Sequence, residues 1–399
     1  MKDKNHTPKQ GQAIVIMAFA IIALAALVGL AIDGGNLYTL RRRAQITADS
    51  TAMAGTQMLA DLISQCATPS AAHDNAIRDQ ILEYARLNGV DAFSPDGEVT
   101  AWYVNGGGHE LGFVGSGSPI PTGATGIRTS IVTTDTTTFM RLFGFRHIAA
   151  PGGAMALAGR VTQMGGGGLL PIAVWDEVVK HIGYGEEFHI QAKGEFKDFC
   201  TVICPDCCQG QAGSASQRGW LQLGHIYNND PSIMNRAFTT NMSASSLRQY
   251  INPATPYPHN IYAGDPGIDN GDFIVGNNGS MSSATQDVVT YWLGQVVFLP
   301  VFDLVYTGDH GSPPTMQSIF SPNRPQPVNS WVSGSSRYYY HVTGFVAAEL
   351  IRHEGSWGSG ALVGEFRHAS IQAGQINPGA GIGSGSACTP GLVGFTLVD

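Results

Sequence analysis

The sequence predicts an α+β protein that an N-terminal transmembrane helix anchors in a membrane. Three observations support this prediction. Residues 13–32 contain no charged residue and no proline. A helical repeat of apolar residues follows them and predicts an amphipathic extension of the same helix. The rest of the 399 residues predicts a small α+β region and then a β-rich C-terminal domain.

The apolar run reaches from Ala13 to Ile32. A helix rises about 1.5 Å per residue, so the run covers the roughly 30 Å hydrocarbon core of a bilayer. A cleaved signal peptide would have a shorter apolar core, roughly 7–15 residues, with a small-x-small cleavage site after it. A buried core helix is the other alternative. The length of the run favours a retained transmembrane helix over both.

Positive charges flank the apolar run on both sides. Three lysines lie within residues 1–12, and three arginines occupy residues 41–43. The positive-inside count is therefore nearly tied. The long C-terminal side favours an N-terminus inside, because long domains translocate largely regardless of charge. We therefore expect a cytoplasmic tail at residues 1–12 and the bulk of the chain outside the cytoplasmic membrane.

The composition is that of a turn-rich extracellular β protein. Charged residues make up 13% of the chain, against about 25% in a typical domain, and there are 51 glycines. The formal net charge is −8 at pH 7. A chain with this charge and no long basic cluster is not expected to bind nucleic acid.

Local patterns predict the elements of a first region at residues 33–163. Small and apolar residues recur at three- and four-residue steps from Leu37 to Leu62, after a helix break expected near Gly34-Gly35. Turn and capping residues flank a second predicted helix at residues 71–87. Strands are predicted at residues 99–104, 126–133 and 148–161, and a short helix at 136–143.

A run of four glycines at residues 165–168 predicts a linker, placed at residues 164–168. Beyond it, residues 169–399 predict a β-rich extracytoplasmic domain whose loops hold many prolines. Its predicted strands cover residues 169–174, 187–192, 220–223, 295–306, 338–351 and 362–367. The aromatic pair at residues 102–103 and the aromatic triplet at residues 338–340 are interpreted as parts of strand faces. An aromatic surface that binds sugar is the alternative.

An ordered set of residues surrounds the apolar run. The set comprises Gly11-Gln12 before the run, Asp33, Gly35, Tyr38, Arg43 and Gln45 after it, and an alanine-rich helix over residues 48–55. In this order the residues resemble the TadE/TadG-like proteins of Tad (Flp) pilus assembly. The similarity continues at residues 138–144, 170–174, 296–303 and 341–345.

The resemblance implies a single-pass protein of the bacterial cytoplasmic membrane. Such proteins act as pseudopilins, assembly factors or pilus-tip components, not as enzymes, and the region at residues 33–163 would be pilin-like. The implied partners are the bilayer and pilus or pilus-platform proteins, without a cofactor. The small residues Ala18, Ala25 and Gly29 would let partner helices approach the anchor closely.

Two departures from the family pattern concern processing and metal binding. Members cut by a prepilin peptidase carry Glu five residues after the cut glycine, whereas Ile16 stands in that place here. Gly11 is therefore only a candidate processing site. Some members carry a von Willebrand A domain with an Asp-x-Ser-x-Ser metal motif, which this sequence does not contain.

The sequence contains six cysteines, at positions Cys66, Cys200, Cys204, Cys207, Cys208 and Cys388. The four within residues 200–208 form its densest chemical cluster. An even number outside the cytoplasm favours disulfides, and Cys66 with Cys388 is a candidate long-range pair. Four thiolates at such short spacing are also a possible zinc site, with His189 or His225 as an alternative ligand.

The remaining motifs do not indicate an enzyme. No nucleophile elbow, zinc-protease motif or phosphate-binding loop occurs in the sequence. The acidic segment at residues 265–272 is interpreted as a solvated turn, with calcium binding as the alternative. The sequence thus predicts a structural or assembly component of a Tad/Flp-type pilus. A cell-surface adhesin or binding module and a zinc-binding envelope protein are the alternatives.

Overall fold

The computed structural model describes residues 10–65, 67–92, 96–166, 169–191, 220–228, 238–239, 244–255, 257–265, 271–276, 282–308, 337–357, 361–372, 376–377, 382 and 391–398. The chain divides into two compact units. Unit 1 comprises Met1–Thr56, Ser70–Ala156 and Leu397–Asp399, and unit 2 comprises Gln57–Pro69 and Leu157–Thr396. The fold class is α+β, with a long apolar N-terminal helix and a β-rich C-terminal region, as predicted.

The N-terminal helix, α1 (Gln10–Ser64), is continuous over 55 residues. At about 1.5 Å per residue it is about 80 Å long. The predicted break at Gly34-Gly35 is wrong, since both glycines lie inside the helix. A glycine costs about 1 kcal/mol relative to alanine in a helix interior. The helix formers on both sides carry the helix through, because each added residue also adds a hydrogen bond.

Unit 1 contains a second helix and an antiparallel sheet. Its elements after α1 are α2 (Ala71–Leu87), β1 (Gly97–Val104), β2 (Glu110–Phe113), β3 (Gly126–Thr136) and β4 (His147–Val161), of which β4 ends in unit 2. The strand order is β4-β3-β1-β2, and β1 is antiparallel to β2 and to β3. The predicted bounds of α2 are confirmed, and the Ser70 hydroxyl caps the helix by accepting the N–H of His73 at 3.2 Å.

Both helices of unit 1 pack on the same face of this sheet. Strand β3 alternates, so that Ile127, Thr129 and Ile131 are buried and the residues between them are partly exposed. Ile131 lies in one apolar cluster with Ala48 of α1 and Ala85 of α2. The small side chains allow both helices to approach the sheet closely.

A buried carboxylate, Asp74 in α2, connects this helix to the sheet and to a loop. It accepts hydrogen bonds from the Tyr103 hydroxyl at 2.9 Å, from the Gly115 N–H at 2.8 Å and from the Gly117 N–H at 2.9 Å. Burial and the contact with Asp74 raise the pKa of Tyr103. The phenol therefore keeps its proton and stays a donor.

The helix predicted at residues 136–143 is wrong. Strand β3 continues to Thr136, and only Met140–Phe143 forms a single 3-10 turn. Three consecutive threonines, at 136, 137 and 138, favour an extended chain because their side chains are β-branched. The turn begins only after them.

Unit 2 is built mainly of strands, with three short helices among the described residues. The helices are α3 (Asp176–His181), α4 (Ala244–Ile251) and α5 (Ser282–Trp292). The strands, of which β17 ends in unit 1, are β5 (Gln163–Gly166), β6 (Val174–Trp175), β7 (Glu187–Gln191), β8 (Leu221–Asn228), β9 (Phe238–Thr239), β10 (Tyr257–Tyr262), β11 (Asp272–Gly276), β12 (Val296–Gly308), β13 (Arg337–Glu354), β14 (Ala361–Phe366), β15 (Ser370–Gln372), β16 (Ile376–Asn377) and β17 (Val393–Val398).

The main sheet of unit 2 is organised around β13. Its order is β6-β12-β13-β11-β8-β9, and β14 also pairs with β13 and with β7. Strand β12 pairs with β13 along most of its length, whereas β11 meets the first part of β13 and β14 the last part. Two apolar clusters fill the core, one containing Trp220 and Phe366 and the other Tyr340 and Phe345.

Tyrosine and histidine side chains of β13 lie in this core. Tyr339 and Tyr340 are buried, as expected for strand faces. His341 is also buried, and its Nδ1 lies 2.6 Å from the Asp303 carboxylate. The His341 ring stacks on Phe273 with 4.7 Å between centroids. These contacts hold β11, β12 and β13 together.

Two predictions near the start of unit 2 need correction. The strand predicted at residues 169–174 is present only as Val174–Trp175, with isolated bridges at Leu169 and Ile172. Pro171 interrupts it because proline has no N–H for a ladder. Gly165 and Gly166, predicted in the linker, lie in β5 and pair with β10. The predicted domain bounds at residues 163 and 169 stay predictions.

Candidate functional site

The first half of α1 is apolar and exposed. Among the described residues, α1 is the one helix long and apolar enough to cross a membrane, and nearly all of its most apolar window is unburied. Ala18 and Ala25 are exposed on it, as is Ile32 at its end. The backbone of Gly11, Gln12 and Ala13 is helical, and their side chains lie outside the described part of the chain.

The second half of α1 is packed against the sheet of unit 1. Within unit 1 the buried side chains follow the predicted three- and four-residue steps, beginning at Leu40 and Ala44 and continuing to Ala52. Leu37, which was predicted on this stripe, is exposed. A single helix therefore combines an exposed apolar segment with a segment that belongs to the core.

Helix α1 approaches the sheet closely at Gly152 of β4. A Cβ atom at this glycine would lie 2.4 Å from the carbonyl carbon of Ala44 and 2.7 Å from the backbone nitrogen of Gln45. Next to it, the Gln45 side-chain amide donates to the Gly153 carbonyl at 3.0 Å and to the Asp49 carboxylate at 2.8 Å. The family-motif residue Gln45 thus binds α1 to β4.

Threonine hydroxyls add further bonds between α1 and the sheet. The Thr129 hydroxyl of β3 donates to the Ala48 carbonyl at 2.9 Å. The buried Thr56 hydroxyl donates to the Ala156 carbonyl and accepts the Ile127 N–H, both at 3.2 Å. The two Thr56 bonds satisfy backbone groups of β3 and β4 at once, which makes the position of the helix specific.

Asp33 holds the 3-10 turn against α1. The buried carboxylate accepts backbone N–H groups at 2.8 Å from Thr138, at 3.0 Å from Phe139 and at 2.7 Å from Met140. Burial raises the pKa of Asp33, but these N–H groups and the nearby Arg141 outweigh it and hold the pKa below its ordinary value. The carboxylate therefore stays ionised and acts as an anionic cap for the turn.

Gly29 completes this contact one helical turn earlier. A Cβ atom at Gly29 would lie 2.7 Å from the Cβ of Phe139 and 2.8 Å from its Cγ. Phe139 therefore packs directly on the helix backbone. Gly29, which was expected to face partner helices, is buried under a side chain of its own chain.

The other motif residues lie on the exposed side of α1. Gly35 has no atom within 4 Å of its Cβ position, and its carbonyl accepts the Thr39 hydroxyl at 3.0 Å. Tyr38 is 72% exposed, and Arg43 is exposed beside the packed segment. The structure thus brings Asp33 and Gln45 to the sheet unit and leaves Gly35, Tyr38 and Arg43 at the surface.

The predicted metal and disulfide residues fall mostly outside the structure. All six cysteines lie outside the described residues, as does the side chain of His225. Within the described ranges no group of three or more potential metal ligands is found. In the acidic segment, Asp265 lies 4.0 Å from Arg160, while Asp272 is buried and accepts the Tyr262 N–H at 2.8 Å.

The helix just described is also the part of the chain that similarity identifies. Residues 11–61 match the Tad family model, described as putative Flp pilus-assembly TadE/G-like. The chain carries a TadE/G-like segment. This segment coincides almost end to end with α1 (Gln10–Ser64). No curated protein and no solved structure matches the chain.

The TadE/G-like segment thus contains both a candidate membrane anchor and the surface that binds the sheet. The motif order predicted Asp33 and Gln45 as family residues, but the sequence did not show what they contact. Phe139 and Gly152 were not predicted as site residues. The only sequence signal for Gly152 is the run of small residues in β4, which allows a helix to lie close to the strand.

Proposed function

We propose that the chain is a membrane-anchored structural or assembly component of a Tad/Flp-type pilus, with a pseudopilin-like role. The observation that carries the proposal is the match over residues 11–61, which supports a pilus-related role. It falls on one helix that is apolar and exposed in its first half and packed on a sheet in its second. A single-pass anchor that positions a folded unit next to the membrane has this arrangement.

In this role, α1 supplies both the anchor and the contact surface. The exposed residues Ala18 and Ala25 permit close approach of partner helices within the bilayer. Tyr38 presents an exposed aromatic ring a few residues after the apolar span. Aromatic side chains are enriched both at membrane interfaces and at the centres of protein interfaces. Pilin or pilus-platform helices are the proposed partners.

The proposed topology places the N-terminus in the cytoplasm and both units outside it. A periplasmically active reporter fused after residue 399 should be active, and the same reporter fused before residue 1 should be inactive. The reverse pattern would contradict the orientation and leave the anchor itself in place.

The function is tested by deletion of the gene in its own bacterium, followed by counting of surface filaments. We expect filaments to be lost and to return with the wild-type chain. In-cell photocrosslinking from benzoylphenylalanine at Tyr38 should then capture a pilin or platform protein. The same probe at Leu87, which is 63% exposed at the end of α2, serves as the control. An unchanged filament number in the deletion strain would refute the proposal.

We also propose that the cysteines are oxidised, because an even number of cysteines outside the cytoplasm favours disulfides. Intact mass of the protein purified from membranes without reductant, before and after alkylation, counts the free thiols. Blocked cysteines in pairs support disulfides. Six free thiols with about one zinc per chain would support the zinc-binding alternative. The same spectrum shows whether the chain is cut after Gly11.

A further inference from the structure

The turn that Asp33 holds carries the two most exposed large apolar side chains of the described residues outside α1. Leu142 is 77% exposed, Phe143 is 72% exposed and Phe145 is 61% exposed. In the rest of the described chain outside α1, only Leu87 exceeds 60%. Three such side chains lie within four residues of sequence, and concentrations of exposed apolar surface mark interaction surfaces. We call residues 139–146 the apolar turn.

The position of the apolar turn along α1 identifies what covers it. Phe139 packs on Gly29, which precedes Ile32, the last residue of the apolar span, by three residues or about 4.5 Å. Asp33 fixes the start of the turn with three N–H bonds. The turn therefore lies beside the final helical turn of the span. When the span crosses a bilayer, this level is the boundary between headgroups and acyl chains.

The charges around the turn agree with this position. Arg141 and Arg146 are exposed on either side of Leu142, Phe143 and Phe145. Apolar and aromatic side chains flanked by basic residues suit a membrane interface, where the rings enter the acyl boundary and the guanidinium groups meet anionic headgroups.

We propose that the apolar turn inserts into the leaflet next to unit 1 and is a second membrane contact of the chain. Lipid is the occupant because Phe139 packs on Gly29 within the exposed apolar span of α1, and because basic residues flank the apolar side chains of the turn. The inference requires α1 to be the anchor and does not depend on a role in a pilus. A second copy of the chain, or another membrane protein, is the competing occupant.

The experiment uses the full chain reconstituted in vesicles of phosphatidylcholine and phosphatidylglycerol. Phe143 is replaced by benzoylphenylalanine, the sample is irradiated, and intact mass detects a covalent adduct of one phospholipid. The substitution keeps an aromatic ring at an exposed position, so folding should be retained. The same probe at Phe145 provides a second, independent position within the turn.

Two control positions make the result decisive. Leu24, exposed within the span, should form lipid adducts and so confirms the anchor. Phe113 is exposed on β2. It pairs with Trp102 of β1, which pairs in turn with Arg128 of β3, and Thr129 is the next residue of β3. The Thr129 hydroxyl bonds to Ala48, sixteen residues or about 24 Å beyond the span. Phe113 should therefore form no lipid adduct.

Lipid adducts at 143 and 145, with none at 113, are the expected result. Adducts at Leu24 without any at 143 or 145 would overturn the proposal while leaving the anchor intact. A crosslinked dimer from 143 in place of a lipid adduct would also overturn it and assign the turn to an interface between copies.

Discussion

The close contact between Gly152 and Ala44 predicts a large effect of a single methyl group. Gly152 lies on the face of β4 that meets α1, and the next residue, Gly153, lies on the opposite, exposed face. Gly152→Ala and Gly153→Ala therefore add the same atom to the same strand on opposite sides. Neither glycine has a positive φ, so backbone strain does not enter the comparison.

The magnitude follows from the geometry. The added Cβ at 152 would lie 2.4 Å and 2.5 Å from the carbonyl carbon and oxygen of Ala44, both of them backbone atoms. Carbon atoms prefer separations of about 3.5–4.0 Å, so α1 and β4 must move apart by about 1 Å. Overpacking lowers the free energy of unfolding by about 1–3 kcal/mol. For Gly152→Ala we expect about 3 kcal/mol, because the atoms in the way belong to the backbone and no flexible side chain can move aside. A Cβ atom at Gly153 would have the backbone carbonyl oxygen of Thr129 as its nearest neighbour, at 3.7 Å. Gly153→Ala should therefore raise the free energy of unfolding by up to about 1 kcal/mol.

Hydrogen exchange of peptides from β3, measured on the full chain in detergent micelles, checks this prediction. Exchange through opening of unit 1 accelerates about tenfold for each 1.4 kcal/mol lost. Gly152→Ala should therefore exchange about 100-fold faster than wild type, and Gly153→Ala no faster than wild type. Equal exchange in the two variants would refute the inference that α1 is seated on β4 without space between them.

Three further predictions concern polar contacts of unit 1. Asp33→Asn should speed hydrogen exchange of residues 137–146 at neutral pH. Because the pKa of Asp33 is lowered in the folded chain, its carboxylate stabilises the turn fully above about pH 4. This slower exchange of the wild type should disappear as the pH falls through the native pKa. Thr56→Val should cost about 1–3 kcal/mol, measured by exchange in β3, because it leaves the buried Ile127 N–H unsatisfied. Tyr103→Phe should cost about 1.5–3 kcal/mol, measured by the urea midpoint of near-ultraviolet circular dichroism, because the variant removes a hydrogen bond to the Asp74 carboxylate.

Each of these variants has a matched control. Asp79→Asn changes an exposed carboxylate that pairs with Arg78, an interaction worth little in water. Thr51→Val removes a buried hydroxyl that bonds to carbonyls of its own helix. Tyr38→Phe changes an exposed phenol. A control that shifted its readout as much as the variant would show that the assigned contact does not carry the effect.

Local signals made part of this fold predictable. The bounds of α2 matched because Ser70 caps the helix and Asn88-Gly89 ends it. Strand β4 was predicted although alanine is a poor strand former. Its small residues have a tertiary cause, since Gly152 must admit the backbone of α1. The sequence predicted the strand without showing why the strand had that composition.

Non-local contacts explain what sequence reasoning missed. Asp33 was identified as a motif residue, but its partners lie 105–107 residues later in the chain. No short-range pattern could connect them. The turn inside the expected helix at residues 136–143 is capped by Asp33, which lies more than a hundred residues earlier in the chain. The break predicted at Gly34-Gly35 is absent because propagation of the helix outweighs the low helix propensity of two glycines.

In the proposed topology, the unbroken helix α1 couples the orientation of unit 1 to the tilt of the membrane span. Hydrophobic mismatch tilts a membrane-spanning helix, and no hinge separates the span from the segment packed on the sheet. From Ile32 to Thr56 the helix extends about 36 Å. A change in tilt of about 10° would therefore displace the sheet sideways by about 6 Å at the level of Thr56. In the proposed topology, membrane thickness would thus set the angle of this unit relative to the bilayer.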